Sequence, residues 1–176
     1  SKGNTVDPDE IIAKYGADGV RVGMLLCSPA GNDLLFEETL TEQGRNFGNK
    51  IWNAFRLIAG WNEEGLEQPK TAELANEWFD SKLNQTIGMI EDHYSKYRLS
   101  DALMSCYRLF WDDFSSWYLE MIKPEYGKPI DPKTKKQAMD FMEKLILVLH
   151  PFVPFITEEI WQTIKEREPG DSIMIS

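Results

Sequence analysis

Asn46, Asn49, Lys50 and Asn53 stand at i, i+3, i+4 and i+7 within the stretch Gly44 to Arg56. That spacing puts the four side chains on one face of a helix. Arg45, Trp52 and Arg56 flank the face, and Phe47, Ile51 and Phe55 form an apolar stripe opposite it. Asparagine is a poor residue inside a helix because its amide competes for backbone groups. Each one costs about half a kcal/mol relative to alanine, so three on one face need a reason. Amides, cations and an indole together suit phosphates and exposed bases. The other reading is that the asparagines hydrogen-bond to neighbouring helices and loops, and the residue types alone lean towards that packing role.

Two further groups could carry chemistry. Tyr107, Phe110, Trp111 and Phe114 fall at i, i+3, i+4 and i+7, Tyr118 continues the stripe, and Trp117 stands beside it. Such rings could stack bases, but a continuous aromatic stripe on a long helix is more often its core face. A tryptophan at the edge of the stripe could still serve a nucleic acid. The segment Met121 to Lys136 carries Lys123, Lys128, Lys133, Lys135 and Lys136 against Glu125 and Asp131. It could hold a phosphate backbone, or be a solvated helix end.

Catalytic constellations are missing. His93 and His150 have no metal-ligand spacing with each other or with Cys27 and Cys106, so no metal site is expected. No nucleophile elbow, phosphate loop or dinucleotide fingerprint occurs, and the carboxylates show no special pairing. The two cysteines form no CxxC pair, which fits a reducing cytoplasm. No apolar run approaches the roughly 20 residues that span a bilayer, and the start Ser1-Lys2-Gly3-Asn4 is too polar for a secretory segment. The net charge of −10 argues against a general nucleic-acid binder, so any RNA site must be a local basic face on an acidic body.

The elements that position these residues read as helices. Asp7-Pro8-Asp9-Glu10 is a start signal, with Asp7 as cap and Pro8 in the first turn. Gly16 can end that helix, and another runs from about Asp18 to Leu26. Leu34-Leu35-Phe36 reads as a short extended link. A long helix from about Glu38 to Trp61 shows Leu40, Gly44, Phe47, Ile51, Phe55 and Ile58 as its buried stripe. A loop over 62–70 leads to a helix from about Ala72 to Tyr97, with Leu74, Trp78, Leu83, Ile87, Ile90, Tyr94 and Tyr97 as its stripe. Ser100 is the expected cap of the next helix, which ends before Pro124. Asp131-Pro132 opens another that stops at His150-Pro151, and Thr157 opens the last, to about Lys165. The expected fold is all-α, an antiparallel helical bundle over 39–176 preceded by a small α-rich module over 1–38.

In combination these segments resemble class I aminoacyl-tRNA synthetases, and among them the valine enzymes. Ser1-Lys2-Gly3-Asn4 with Val6-Asp7-Pro8 is similar to the tail of the KMSKS signature. Tyr15-Gly16-Ala17-Asp18 with Arg21 is similar to the family's "YGADALR" segment. Ser28-Pro29-Ala30-Gly31-Asn32-Asp33 with Phe36 resembles the link into the tRNA-binding domain. Trp111-Asp112-Asp113-Phe114, Trp117-Tyr118-Leu119-Glu120 and Lys123-Pro124 match the subgroup's "W-D-x-F-x-x-WYLE-x-x-KP". His150-Pro151 through Trp161 resembles "HP-x-x-PFITEE-[IL]-W". These are shared with isoleucine and leucine enzymes, whereas Arg45-Asn46-Phe47 through Asn49-Lys50-Ile51-Trp52-Asn53-Ala54 is close to the valine pattern "RNFxNKxWNA".

The resemblance implies that residues 1–38 form a stem-contact module following KMSKS and residues 39–176 an anticodon-binding domain. It implies tRNA(Val) as partner, with contacts at Arg45, Asn46, Asn49, Lys50, Trp52, Asn53 and Arg56. The parent would be a monomeric cytoplasmic ligase using ATP with magnesium. Its catalytic, editing and C-terminal arm regions are expected to lie outside this chain, which should be inactive alone. The alternatives are the same domain of an isoleucine or leucine enzyme, and an acidic helical scaffold that binds protein.

Overall fold

The computed structural model describes residues 7–27 and 36–175. The Ser1 to Asn4 tail and most of the extended link lie outside these residues, as do residues 28–35 of the stretch leading to the expected boundary at residue 38. Helix α1 (Pro8–Leu26) opens as its sequence dictates, with the Asp7 carboxylate accepting from the Asp9 amide at 2.9 Å. It bends at Gly16, whose φ of 76° and ψ of 156° interrupt the helical path. Helices α2 (Glu38–Ala59), α3 (Lys70–Ser95) and α4 (Leu99–Arg108) follow. The α4 helix runs on into a π-helical segment, Leu109–Tyr118, and returns to α geometry as α5 (Leu119–Ile122). Helices α6 (Pro132–Leu149) and α7 (Pro154–Ile164) complete the bundle, with a short 3₁₀ turn at Ile173–Ile175. Among the described residues there is no strand, only an isolated bridge between Glu63 and Ile130 that ties the loop after α2 to the loop before α6.

The core is aromatic. Phe79 packs against Phe114, Tyr118 and Phe141 with ring centroids 5.1, 4.9 and 5.0 Å away, and Phe47 meets Phe110 edge-on at 5.9 Å. The π-helical segment serves this core. A wider helix turns fewer degrees per residue, so Phe110, Phe114 and Tyr118, four apart, drift less around the axis and all face inward. Phe110, Phe114 and Tyr118 of the aromatic stripe are therefore core, while Tyr107 and Trp111 are half-buried at its edge and Trp117 is exposed.

Three local expectations change. The stripe of α3 is only partly the expected one. Leu83 and Ile90 are buried and Trp78 and Ile87 pack against the core, but Leu74, Tyr94 and Tyr97 are exposed, and Ala72, Ala75, Asn76 and Phe79 are buried as well. Asn76 tolerates burial because it accepts from the Tyr118 hydroxyl at 2.6 Å and donates to Gln137. Ser100 does not cap α4, which begins at Leu99 after Arg98. Its hydroxyl donates to the Leu25 carbonyl at 2.7 Å, joining α4 to the last turn of α1. Thr157 does not open α7, which begins at Pro154; it is buried and faces His150.

Candidate nucleic-acid interface

The middle and end of α2 carry a positively charged stretch on an acidic chain. From Gln43 to Gly60 there are three cations, Arg45, Lys50 and Arg56, and no acid. That signal was available from the sequence but is diluted by the net charge of −10. The bundle presents this segment to solvent: Phe47, Ile51, Phe55 and Ile58 face inward, while Arg45, Asn46, Asn49, Asn53 and Arg56 are exposed.

The asparagines do not hold neighbouring helices. The side chains of Asn46, Asn49 and Asn53 make no hydrogen bond among the described residues and stand in solvent. The packing role suggested by residue type is overturned, because the helices around α2 meet it on its apolar side. Three poor helix formers thus remain exposed on a long helix with no side-chain hydrogen bond among the described residues to compensate them.

The structure splits the predicted set in two. Arg45, Asn49 and Trp52 line a cleft of about 550 Å³ that also takes in Tyr15 to Gly19 of α1 and Phe155, Ile156 and Glu159 of α7. Arg45 is steadied there, 5.4 Å from the Tyr15 ring and 3.5 Å from Glu42. Half-buried Trp52 leans on Phe55 at 5.6 Å, and Phe155 is 66% exposed at the rim. Asn46, Lys50 and Asn53 lie on the adjoining stripe, where Lys50 Nζ is 4.9 Å from the Trp111 ring centroid. Arg56 is exposed beyond both groups.

The cleft exists because α1 crosses α2 at backbone contact. A Cβ built on Gly44 would lie 2.4 Å from the Gly19 carbonyl oxygen, and one on Gly23 would lie 2.6 Å from Thr41. Sequence reading missed Tyr15, Phe155, Glu159 and Trp111 as neighbours of the face, because each comes from a distant segment.

The lysine-rich segment behaves differently. Lys123 pairs with Glu120, Lys136 with Asp140 at 2.7 Å, and Lys135 with Glu63 at 3.0 Å while donating to the Trp61 carbonyl at 2.8 Å. Asp131 caps α6, accepting from the Thr134 amide at 2.8 Å. Much of the charge that could have met phosphate is engaged within the chain. Among the described residues no His, Cys, Asp or Glu cluster could hold a metal ion, and no helix is long and apolar enough to cross a membrane.

Comparison with known proteins gives a consistent result. The chain is 59% identical over 175 residues to the valine–tRNA ligase of Phocaeicola vulgatus, which covers 99% of this chain and 20% of that protein. It is 59% identical over 177 residues to the valine–tRNA ligase of Christiangramia forsetii, and 38% over 182 residues to that of Carboxydothermus hydrogenoformans. In each case it spans 20% of the relative's length. Among solved structures, the ternary complex of Agrobacterium radiobacter LeuRS with tRNA and LeuAMS matches with a TM-score of 0.68. That match has 18% identity and covers 98% of this chain and 21% of that one, a likeness of fold. Residues 76–176 match the family model of the anticodon-binding domain of tRNA ligases. With more than half of its residues matched, the chain belongs to the family of anticodon-binding domains of tRNA ligases.

Proposed function

We propose that this chain is the tRNA-binding part of a valine–tRNA ligase and that the exposed face of α2 is its main RNA contact. The observation that carries the reading is the α2 segment itself: three cations, no acid, and three exposed asparagines with no partner among the described residues. Unpaired amides can hydrogen-bond the edges of splayed anticodon bases, Trp52 can stack on one, and Arg45, Lys50 and Arg56 can meet phosphates. The high identity to valine enzymes supports valine over isoleucine or leucine. In this reading residues 1–38 form the stem-contact module, with Ser1 to Asn4 as the KMSKS tail. The whole protein is a cytoplasmic monomer that activates valine with ATP and magnesium and esterifies it to tRNA(Val).

The acidic body has a consequence. One basic strip on a chain of net charge −10 binds RNA weakly and with strong salt dependence. The test is a low-salt titration with fluorescent anticodon stem-loops carrying valine or isoleucine anticodons. Preference for the valine loop supports both the RNA role and the amino-acid assignment. Equal binding removes valine discrimination from this face, and binding unaffected by salt contradicts the electrostatic account.

A further inference from the structure

Lys50 is held differently from most lysines of the chain. Lys14, Lys70, Lys96 and Lys136 each sit within 2.8 Å of a carboxylate oxygen. Lys50 makes no ion pair among the described residues, and its Nζ instead lies 4.9 Å from the centroid of the Trp111 ring. The two kinds of partner have different electrostatic results. A carboxylate cancels the charge it holds, whereas an aromatic face attracts an ammonium through its quadrupole and leaves the net charge at +1. The ring also leaves the three N–H donors of the ammonium unspent on any acceptor.

Trp111 is itself fixed in place. Tyr107 stacks on it with centroids 5.4 Å apart and 9° between planes, and Phe47 lies 6.5 Å away at 27°. The Ser116 hydroxyl donates to the Trp111 carbonyl at 2.8 Å, a five-residue step that matches the π-helical path there. Both Tyr107 and Trp111 remain half-buried, at the edge of the aromatic core. Asn46 and Asn53, exposed about one helical turn to either side of Lys50, flank the spot on α2.

We propose that Trp111 is a positioning residue for RNA binding: its ring holds the charged Lys50 ammonium between Asn46 and Asn53 to receive a phosphate of the tRNA backbone. The proposal rests on the RNA reading of α2 and extends it to an element on the other side of a helix packing contact. Holding the lysine beforehand lowers the entropy lost when the phosphate docks. The π-helical segment would then serve two ends, turning three rings into the core and leaving Trp111 at its rim.

The test is a double-mutant cycle in the chain, with Lys50→Met, Trp111→Leu, both together, and Trp111→Phe as the conservative variant. Affinity for the valine anticodon stem-loop is measured from 50 to 200 mM salt, and thermal melts are run on every variant. Lys50→Met and Trp111→Leu should each weaken binding about three- to ten-fold and lower the salt slope by about 0.7 to 0.9, one phosphate's worth. The double variant should lose no more than either single, and Trp111→Phe should keep most of the affinity and the slope. A purely packing role for Trp111 predicts a lower melting temperature with unchanged slope and additive losses, and that result overturns the proposal. If Trp111→Leu unfolds the chain, the decision falls to Trp111→Phe, where loss of slope equal to that of Lys50→Met overturns ring-held positioning. Failure of the unsubstituted chain to bind the stem-loop overturns the RNA reading and this proposal with it. Binding with additive losses overturns this proposal alone.

Discussion

The Asp18 carboxylate caps α7 from across the bundle, accepting from the Ile156 amide at 2.8 Å and the Phe155 amide at 3.2 Å, 138 and 137 positions away in the chain. Arg21, one turn along α1, donates to the Pro151 and Phe152 carbonyls at 2.9 and 3.4 Å. Helix α7 has no side-chain cap of its own, since Val153 precedes it, so α1 supplies the missing acceptor. The Tyr15 to Arg21 and His150 to Trp161 segments are two halves of one clasp. Asp18→Ala should lower unfolding free energy by about 1–2 kcal/mol, as loss of a helix cap does, with Asp18→Asn milder. Equal urea midpoints for wild type and Asp18→Ala would show the clasp to be energetically idle.

Two glycines of α2 should respond with opposite signs to the same change. An alanine at Gly44 drives its Cβ to 2.4 Å from the Gly19 oxygen and 2.9 Å from Val22, so Gly44→Ala should cost about 1–3 kcal/mol by forcing α1 off α2. At Gly48 nothing among the described residues lies within 4 Å of the added atom. Gly48→Ala should stabilise by about 0.5–1 kcal/mol through helix propensity. Thermal melts of the two variants decide it, and a shift of the same sign in both would refute the close-approach argument.

Tyr118 is fully buried, and its hydroxyl donates to Asn76 while Asn76 donates to Gln137, which also accepts from Gln68 at 2.7 Å. Burial holds the Tyr118 phenol well above its ordinary range, so it stays a neutral donor. Tyr118→Phe keeps the ring contacts but strands the Asn76 carbonyl oxygen. A loss of about 1–3 kcal/mol in equilibrium unfolding is expected; an unchanged stability would mean the network adds nothing.

His150 should make stability depend on pH. Its Nδ1 lies 2.7 Å from the Thr157 hydroxyl, and its Nε2 is buried without a hydrogen-bond partner among the described residues. Burial lowers its pKa, outweighing the opposing pull of Glu158 and Asp18. The unfolded chain therefore binds a proton near pH 6.5 that the folded chain takes up only at lower pH. This contribution to stability is whole above about pH 6.5 and is lost as pH falls from there to the folded pKa. His150→Gln should flatten that part of the profile, read as urea midpoints from pH 8 to pH 5. Parallel profiles for the two proteins would remove His150 as the source.

Replacing Asn49 and Asn53 together by alanine separates binding from folding. Both are exposed without hydrogen-bond partners among the described residues, so the variant should melt higher, by about half a kcal/mol per site, while binding the valine stem-loop more weakly. A lower melting temperature would return both residues to a structural role.

Much of the architecture is written in short-range spacing. Asp7-Pro8 and Asp131-Pro132 open helices as their cap and proline chemistry requires, Gly16 bends α1, and Phe47, Ile51, Phe55 and Ile58 line the buried side of α2. Each depends on residues within a turn or two, so periodicity and capping suffice to read it, and the same α2 pattern with its neighbours carries the family resemblance. The tertiary structure alone decided what depends on distant partners. Phe79 displaced Leu74 from the core side of α3 because three rings from two other elements, the π-helical segment and α6, converge on it. Lys135 of the Met121 to Lys136 segment turned to Glu63 and the Trp61 carbonyl, both brought close by folding. Asparagines that composition assigned to packing were left in solvent because α2 meets its neighbours through its other side, and Trp111 came to rest beneath Lys50 by the same packing. Local spacing fixes which way a side chain points from its own helix, but only the packing of helices against one another determines what it meets.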